Sequence, residues 1–265
     1  MIIVDSHAHL NMDEFDADRD LVIKKAFENG IGAILCPIEA TEEKSISIGL
    51  DLTKKYSRII TGAGIHPHLA KNFTPEYEQK ITTMAKKKQI KAVGEIGLDF
   101  HYNFSDPADQ IEVFRRQMDL AEKLALPVII HSRDAANEVT KVIEEIKFQS
   151  GGVLHCFTEE LDFARIMLDA GFYISFSGIL TYPSAVKVRE AAVFTPLDRI
   201  LVETDSPYLP PIPFRRRVNR NEPVYVKETA KYLAELKNIT LEDLATHTTE
   251  NFEDLFQFEI PEVGC

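Results

Sequence analysis

The stretch Pro127-Val-Ile-Ile-His131 shows how this chain is built. Its β-branched residues follow one another without alternating with polar ones, and a histidine ends the run. Successive apolar residues are typical of a parallel strand that is covered on both faces, whereas a half-exposed strand alternates apolar and polar positions. The stretch therefore predicts a buried strand of a parallel sheet, with His131 at its carboxyl end.

Further short runs of this kind, rich in valine, isoleucine or phenylalanine and flanked by glycine or proline, occur along the chain. Together the predicted strands cover residues 2–9, 33–37, 59–65, 91–98, 127–131, 152–157, 172–177 and 200–205. Apolar residues at helical spacing predict helices at residues 18–29, 41–56, 74–89, 106–124, 135–148, 159–170 and 184–194, and then at 222–237 and 241–256. Thr74-Pro75 resembles an N-cap followed by proline at the first helical position.

Strict alternation of strands and helices predicts a parallel sheet. Eight strand-helix units favour closure into a (β/α)₈ TIM barrel over an open, doubly wound sheet. The first strand is also not followed by Gly-x-Gly-x-x-Gly, the signature of the dinucleotide-binding alternative. The length of 265 residues is close to the about 250 residues that such a barrel needs. We therefore predict one domain spanning residues 1–265.

Composition narrows the class of protein. Hydrophobic residues make up 45% and charged residues 27% of the chain, as in an ordinary globular protein. The net charge of −12 argues against a protein that coats nucleic acid with its whole surface. It argues only weakly against a nuclease, because metal ions and a few arginines can concentrate positive charge at one site.

Location is predicted from what the sequence lacks. No apolar run reaches the roughly 18 residues that would span a bilayer, and the first residues pass into a strand without the charged start of a signal peptide. Cys36, Cys156 and Cys265 are far apart and odd in number, which argues against a disulfide framework. We expect a cytoplasmic protein without a membrane association, and no obligate protein partner is evident.

Metal-binding residue types gather at the predicted strand ends, where such barrels form their active sites. Histidines two apart on a strand point the same way, so His7 and His9 can reach one ion. Glu95 lies among apolar neighbours, where a carboxylate costs several kcal/mol unless it is paired or bound to metal. The predicted ligand set is His7, His9, Glu95, His131, His155 and Asp205.

Each of these residues also has a simpler explanation. Glu95 could be a surface glutamate at a strand mouth, His131 and His155 could be hydrogen-bonded core histidines, and Asp205 could cap a turn. All of these explanations would have to hold together at the ends of five strands, which favours the metal site. The set provides enough ligands for two divalent ions, with Glu95 as the bridge. Mixed histidine and carboxylate ligands do not distinguish zinc from manganese, and magnesium prefers oxygen ligands.

The ligand set suggests a hydrolytic mechanism. Asp205 is the candidate general base for a metal-activated water. His66 and His68 follow the third strand and could protonate or bind a leaving oxygen, or could belong to a loop stabilised by Pro67. Glu203 is predicted to contact a metal ligand and so to orient it, although a salt bridge in the barrel core explains the residue equally well.

Arginines provide the candidate substrate contacts. The dense basic cluster Arg215-Arg216-Arg217, with Arg220-Asn221 after it, follows the eighth strand. The planar donor fork of arginine suits phosphate, although a solvated surface run is the alternative. Phe100, Tyr102 and Phe104, beyond Asp99, could stack on bases or pack locally.

Taken together, the motifs resemble the TatD family of metal-dependent deoxyribonucleases, which belongs to the amidohydrolase-like hydrolases. The matching segments are Asp-Ser-His7-Ala-His9-Leu, Gly-Ile-His66-Pro-His68, Gly-Glu95-Ile-Gly-Leu-Asp99, His131-Ser-Arg133, His155-Cys-Phe and Glu203-Thr-Asp205-Ser-Pro-Tyr-Leu. The resemblance implies a TIM-type barrel that uses the six predicted ligands to hydrolyse DNA, often as an exonuclease and commonly with magnesium. The candidate substrate contacts along the chain are His68, Arg133, Arg217, Arg220 and Asn221. The family often has Arg-Gly-Lys before Asn-x-Pro, whereas here Arg-Val-Asn-Arg precedes Asn221-Glu-Pro223.

Three functions remain open from the sequence. The first is a two-metal nuclease acting on DNA ends or single strands, with Mg, Mn or Zn. The second is hydrolysis of a small ester, lactone or amide on the same metal site, because fold and metals do not decide the substrate. The third is a metal-holding protein without turnover, against which the base candidate Asp205 argues.

Overall fold

Eight strands form one parallel sheet in the order of the sequence in the computed structural model, which describes residues 1–102 and 104–261. The strands are β1 (Ile3–Asp5), β2 (Ile31–Glu39), β3 (Ile59–Gly64), β4 (Ala92–Asp99), β5 (Val128–Arg133), β6 (Gly152–Leu154), β7 (Tyr173–Phe176) and β8 (Ile200–Val202). Beyond β1 and β8, a parallel bridge between Ala8 and Ser206 brings the two ends of the sheet together. The predicted (β/α)₈ TIM barrel is confirmed.

Helices cover the outside of the barrel. They are α1 (Arg19–Glu28), α2 (Glu43–Lys55), α3 (Pro75–Lys86), α4 (Pro107–Leu124), α5 (Ala136–Ile146), α6 (Leu161–Asp169), α7 (Val186–Phe194), α8 (Val226–Lys237) and α9 (Leu241–Phe256). Helix α3 has Thr74 as its N-cap and Pro75 as its first residue, as predicted, although the Thr74 side chain makes no capping hydrogen bond. None of the helices in the described residues is both long and apolar enough to cross a membrane.

Helix α9 closes the amino-terminal end of the barrel. Its Phe252 and Phe256 belong to an apolar cluster with strand residues that include Val4 and Leu35. The Asn251 amide donates hydrogen bonds of 2.8 Å to the carbonyl oxygens of Leu197 and Ile200, just before and at the start of β8. The opposite end of the barrel, where the strands finish, is therefore the end at which the predicted ligands gather.

Several predicted strands extend too far at this carboxyl end. Strands β1, β6 and β8 end at Asp5, Leu154 and Val202, before His9, Phe157 and Asp205. The backbone leaves the regular ladder there, with Cys156 at φ 44° and Asp205 at φ 54°. His7, His9, His155 and Asp205 consequently lie just beyond their strands, whereas Glu95 and His131 lie within β4 and β5. The assignment of residues 1–265 to one domain stays a prediction, and Cys265 lies outside the described residues.

Candidate metal centre

The carboxylate of Glu95, which is buried within β4, is surrounded by the four predicted ligand histidines and by His66. Its two oxygens face different sets of histidines. Oε2 lies 3.3 Å from Nε2 of His7 and 3.6 Å from Nε2 of His9. Oε1 lies 2.8 Å from Nε2 of His155, 3.0 Å from Nδ1 of His131 and 3.3 Å from Nε2 of His66. Glu95 thus stands between two groups of nitrogen donors.

Asp205 adds a second carboxylate on the side of His7 and His9. Its Oδ1 atom lies 3.3 Å from Nε2 of His9 and 4.0 Å from Nε2 of His7. Three overlapping groups have all their donor atoms within 4.8 Å of one another: His7, His9 and Glu95; His7, His155 and Asp205; and His66, Glu95 and His131. The structure therefore brings all six predicted ligands together and adds His66 to them.

The fully buried Asp5 holds the ends of β1 and β8 side by side. Its carboxylate accepts hydrogen bonds from the backbone N–H of Thr204 at 2.8 Å and from the Thr204 hydroxyl at 2.6 Å. The Asp205 N–H donates to the carbonyl oxygen of His7 at 2.9 Å. Because these bonds lock the two segments together, the His7–His9 pair and Asp205 have a defined relative position.

A glycine allows His131 to approach Glu95. Gly97 pairs with His131 across β4 and β5 and has φ 138°, a conformation that other residues rarely adopt. A Cβ atom at this position would overlap the carbonyl oxygen of His131. Any side chain here would therefore push β5, and with it the His131 imidazole, away from Glu95.

Two further carboxylates contact ligand imidazoles at the ring nitrogen that does not face Glu95. Glu203, which is fully buried, has Oε1 3.3 Å from Nδ1 of His155, in the position that the sequence suggested. Asp99 has Oδ2 3.2 Å from Nε2 of His131 and 2.9 Å from Nε2 of His68. Asp99 was not selected as a site residue from the sequence. Its spacing of four from Glu95 was a usable signal, because residues an even number apart on a strand share a face.

The electrostatics of the cluster favour charged carboxylates. Burial raises the pKa of Glu95, but the nearby imidazoles of His155 and His66 outweigh it and hold the pKa well below the ordinary value. Burial likewise opposes ionisation of Asp205, yet the hydrogen bond from His9 lowers its pKa overall. Burial lowers the pKa of His66 to about 4, so this imidazole is neutral at pH 7. Its Nδ1 atom accepts a hydrogen bond from the His68 N–H at 3.2 Å, so the ring proton lies on Nε2.

The residues present fit divalent cations. The side chains of Glu95, Asp99, Glu203 and Asp205 are buried or nearly so, and within the described residues no lysine or arginine forms an ion pair with any of them. The Nε2 atoms of His7 and His9 face each other at 3.2 Å. Buried carboxylates and converging imidazole nitrogens need compensating positive charge, which a bound cation supplies.

The residues predicted to contact substrate differ in their surroundings, and not all of them lie beside the ligand cluster. His68 lies beside the cluster through Asp99, and the Arg133 guanidinium lies 4.6 Å from the centre of the Tyr102 ring. Arg217 is exposed. Arg220 is instead held by Asp18 at 2.6 Å and lies over the Phe15 ring.

Asn221 is buried, and its amide donates to the carbonyl oxygens of Thr204 at 2.9 Å and Tyr208 at 2.7 Å. Arg220 and Asn221 thus have structural partners that support the loop after β8. Their roles in substrate binding stay predictions, as do those of His68, Arg133 and Arg217.

The barrel and its donor cluster define a protein of the metal-dependent hydrolase class. A family model described as TatD related DNase matches residues 4–257. The chain therefore belongs to the TatD family, as the motifs suggested.

Relatives of known sequence and structure agree with this assignment. An uncharacterized metal-dependent hydrolase of Bacillus subtilis strain 168, YabD, is 38% identical over 257 residues, covering 97% of this chain and 99% of that protein. The 3′–5′ ssDNA/RNA exonuclease TatD of Salmonella typhimurium is 31% identical over 257 residues, covering 96% of this chain and 98% of the relative. The crystal structure of YjjV, a TatD homologue of Escherichia coli K12, superposes with a TM-score of 0.89 at 27% identity, covering 97% of this chain and 98% of YjjV.

Proposed function

We propose that this protein is a metal-dependent phosphodiesterase that cleaves DNA, working from the 3′ end of a single strand. The observation that carries the proposal is the position of Glu95, whose two oxygens each face a separate group of histidines. Such an arrangement suits a pair of cations that share one carboxylate, as in hydrolytic sites that act on phosphate esters. The name of the Salmonella relative supports the direction of attack and the single-stranded substrate.

We assign the donors to two divalent cations. His7, His9 and Asp205 surround the Oε2 side of Glu95, while His131 and His155 surround the Oε1 side. Mg, Mn and Zn are all candidates, and the number of histidines favours Mn or Zn over Mg. Bound at this centre, the cations supply Lewis acidity that polarises the phosphate ester and acidifies the attacking water.

The proton of the attacking water is transferred to a side chain of this protein. Asp205 is deprotonated at neutral pH because its pKa is lowered in spite of burial, and its carboxylate faces the donor cluster. We assign it as the general base that accepts the proton of the attacking water. Glu95 lies between the two groups of histidines and so connects the two proposed cation sites. The sequence suggested that His66 could bind or protonate a leaving oxygen. Its imidazole is neutral at pH 7, and its Nδ1 atom accepts a hydrogen bond from the His68 N–H at 3.2 Å, so the ring proton lies on Nε2, which faces the site. We assign it to donate a hydrogen bond to the leaving oxygen.

Positive charge near the site comes from few residues. The net charge of the chain is −12, so long-range attraction of DNA is weak and phosphate contacts must be local. Arg133 and Arg217 are the candidates for these contacts, because in the part of the chain that the structure describes neither forms an ion pair with a carboxylate. The cytoplasmic location and the absence of an obligate protein partner stay predictions.

The test is cleavage of end-labelled single- and double-stranded DNA with EDTA, Mg, Mn or Zn, for the wild type, Asp205→Asn and Asp198→Asn. Asp198 is a matched control, because its carboxylate is 73% exposed beside Arg199. We expect metal-dependent shortening from the 3′ end, a loss of about 10²- to 10⁴-fold in Asp205→Asn, and no change in Asp198→Asn.

Other outcomes would contradict the proposed DNA substrate. If no metal supports cleavage by folded wild-type protein, the DNA assignment is wrong. Small esters, lactones and amides are then the substrates to assay. If none of these is hydrolysed while cations still bind, the protein holds metal without turnover.

A further inference from the structure

Two aromatic side chains are exposed at the rim of the metal centre. Tyr102 is 50% and Phe104 56% exposed. Their rings are nearly parallel, at an interplanar angle of 13° and a centroid separation of 5.6 Å. Scattered exposed apolar residues are ordinary, but adjoining aromatic rings at the edge of a polar site mark a binding surface. We call Tyr102 and Phe104 the aromatic pair.

The segment that carries the aromatic pair is anchored on both sides. The Tyr102 N–H donates to Oδ1 of Asp99 at 2.9 Å. The hydroxyl of Ser105 donates to the carbonyl oxygen of His68 at 2.8 Å, and the buried Gln110 amide donates to the carbonyl oxygen of Ser105 at 3.0 Å. Tyr102 and Ser105 are therefore both held by hydrogen bonds, which lowers the ordering cost that ligand binding has to meet.

One imidazole connects the aromatic pair to the metal centre. The His68 ring contacts Phe104 edge-on at 4.7 Å and Tyr102 at 5.8 Å between centroids. Its Nε2 atom lies 2.9 Å from Asp99, which also holds His131. The rings are therefore separated from the predicted ligand His131 only by His68 and Asp99.

Arg133 adds a positive charge on the same rim. Its guanidinium lies 4.6 Å from the centre of the Tyr102 ring, a cation–π arrangement that fixes its plane. In the described residues Arg133 has no carboxylate partner, so its N–H donors are available to a phosphate. Ring surface and guanidinium side by side match the base and the phosphate of one nucleotide.

We infer that the aromatic pair stacks against an unpaired nucleobase next to the scissile phosphate and thereby selects single-stranded nucleic acid. The inference rests on the proposed function and specifies its substrate. Every base has a π-face, so stacking on an aromatic ring tolerates any sequence. A base inside a duplex already stacks on its neighbours and is not accessible, whereas a base of a single strand is.

The experiment removes the ring and the base separately and together. The assay compares wild type with Tyr102→Ala, Phe104→Ala and Phe104→Leu. The substrates are single-stranded oligonucleotides in which one nucleotide near the 3′ end is replaced by a tetrahydrofuran spacer, which lacks a base. Phe194→Ala is the matched control. Phe194 is 46% exposed and lies under the Arg165 guanidinium at 4.9 Å, at the end of α7 that precedes β8 and so away from the site. Thermal melting verifies that each variant is folded.

We expect loss of the Phe104 ring to lower kcat/KM on the unmodified strand by about 5- to 150-fold, the range for one base stacked on one ring. The spacer should cause a similar loss for the wild type at one position only. Phe104→Ala combined with that spacer should be no worse than either change alone. Phe194→Ala should behave as wild type.

The results separate failure of the inference from failure of the proposed function. If the wild type degrades the strand but cuts every spacer strand equally fast, or if the ring and spacer effects multiply, the aromatic pair does not bind a base and the inference is wrong. If the wild type cuts no oligonucleotide under any metal, the proposed function is wrong, and the inference is overturned with it.

Discussion

The carboxylate of Glu203 lies directly behind His155, with Oε1 3.3 Å from Nδ1, while Nε2 on the other side of the ring lies 2.8 Å from Glu95. The imidazole is thus held between two buried carboxylates. Burial lowers the pKa of His155, but the charges of Glu95 and Glu203 outweigh it and raise the pKa well above the ordinary value. A bound cation would displace the Nε2 proton, while Glu203 keeps the other proton on Nδ1, so the Nε2 lone pair would face the cation.

Loss of the Glu203 charge should weaken cation binding. We expect Glu203→Gln to reduce Zn or Mn affinity by about 10- to 100-fold, the range for residues that orient a metal-bound histidine. Isothermal titration against metal-free protein measures the change. Glu122→Gln, on the outer helix α4, is the control and should bind as wild type. Unchanged affinity in Glu203→Gln would show that Glu203 is only a core ion pair.

Cation removal should destabilise the fold, because buried carboxylates lose their compensating charge. A cation at about 100 times its dissociation constant adds about 2.7 kcal/mol to the free energy of unfolding. For a chain of this size that corresponds to a rise in Tm of about 5–10 °C. Differential scanning calorimetry of EDTA-treated protein, with and without added Mn or Zn, measures it. Asp205→Asn should show a smaller rise than Asp198→Asn, and equal rises would remove Asp205 from the binding site.

Two arginines after β8 should behave differently. Arg220 is tied to Asp18 and packs over Phe15, so Arg220→Ala should lower the free energy of unfolding by about 1 kcal/mol. Arg217 is exposed, so Arg217→Ala should change stability by less than about 0.5 kcal/mol. We expect Arg217→Ala instead to weaken single-stranded DNA binding and to reduce its dependence on salt by roughly one phosphate contact.

Urea unfolding and fluorescence anisotropy at several salt concentrations, with catalysis blocked by EDTA, separate the two effects. A salt slope that falls in Arg220→Ala but not in Arg217→Ala would reverse the assignment.

The buried thiol of Cys36 should make stability depend on alkaline pH. Burial raises the pKa of Cys36 to about 12, whereas an unfolded thiol titrates at about 8.5. Between these values the folded state keeps a proton that the unfolded state has lost, so stability falls as pH rises, by up to about 1.4 kcal/mol per pH unit from this group. Urea unfolding between pH 8 and pH 11, in steps of about one unit, should give a steeper fall for wild type than for Cys36→Ala. Parallel curves would contradict the prediction.

The pattern of apolar runs was sufficient to predict the barrel. A strand such as β5, with successive valine and isoleucine residues, has to be covered on both faces. A parallel sheet with helices packed outside it covers all eight such strands. The ligands were predictable for a related reason. Once the strands are parallel, their carboxyl ends meet at one end of the barrel, so residues that follow strands far apart in sequence become neighbours.

What the sequence did not reveal depends on side-chain directions beyond the strand ends. From the sequence, His66 could bind or protonate a leaving oxygen or belong to a loop stabilised by Pro67. Only the turn after β3 determines that its Nε2 atom lies 3.3 Å from Oε1 of Glu95. Arg220 and Arg217 were indistinguishable as members of a basic run, until folding brought Asp18 of the distant α1 region to Arg220 alone.

The sequence by itself determined the order of strands, the end of the barrel that carries the site and the residue types within it, because these follow from local periodicity and from the geometry of parallel sheets. Only the tertiary structure decided which oxygen of Glu95 faces which histidine, that Asp99 holds both His68 and His131, and that the aromatic pair stands at the rim. These relationships join residues from separate strands and loops across distances of a few ångströms. Local sequence carries no information about them until the chain is packed.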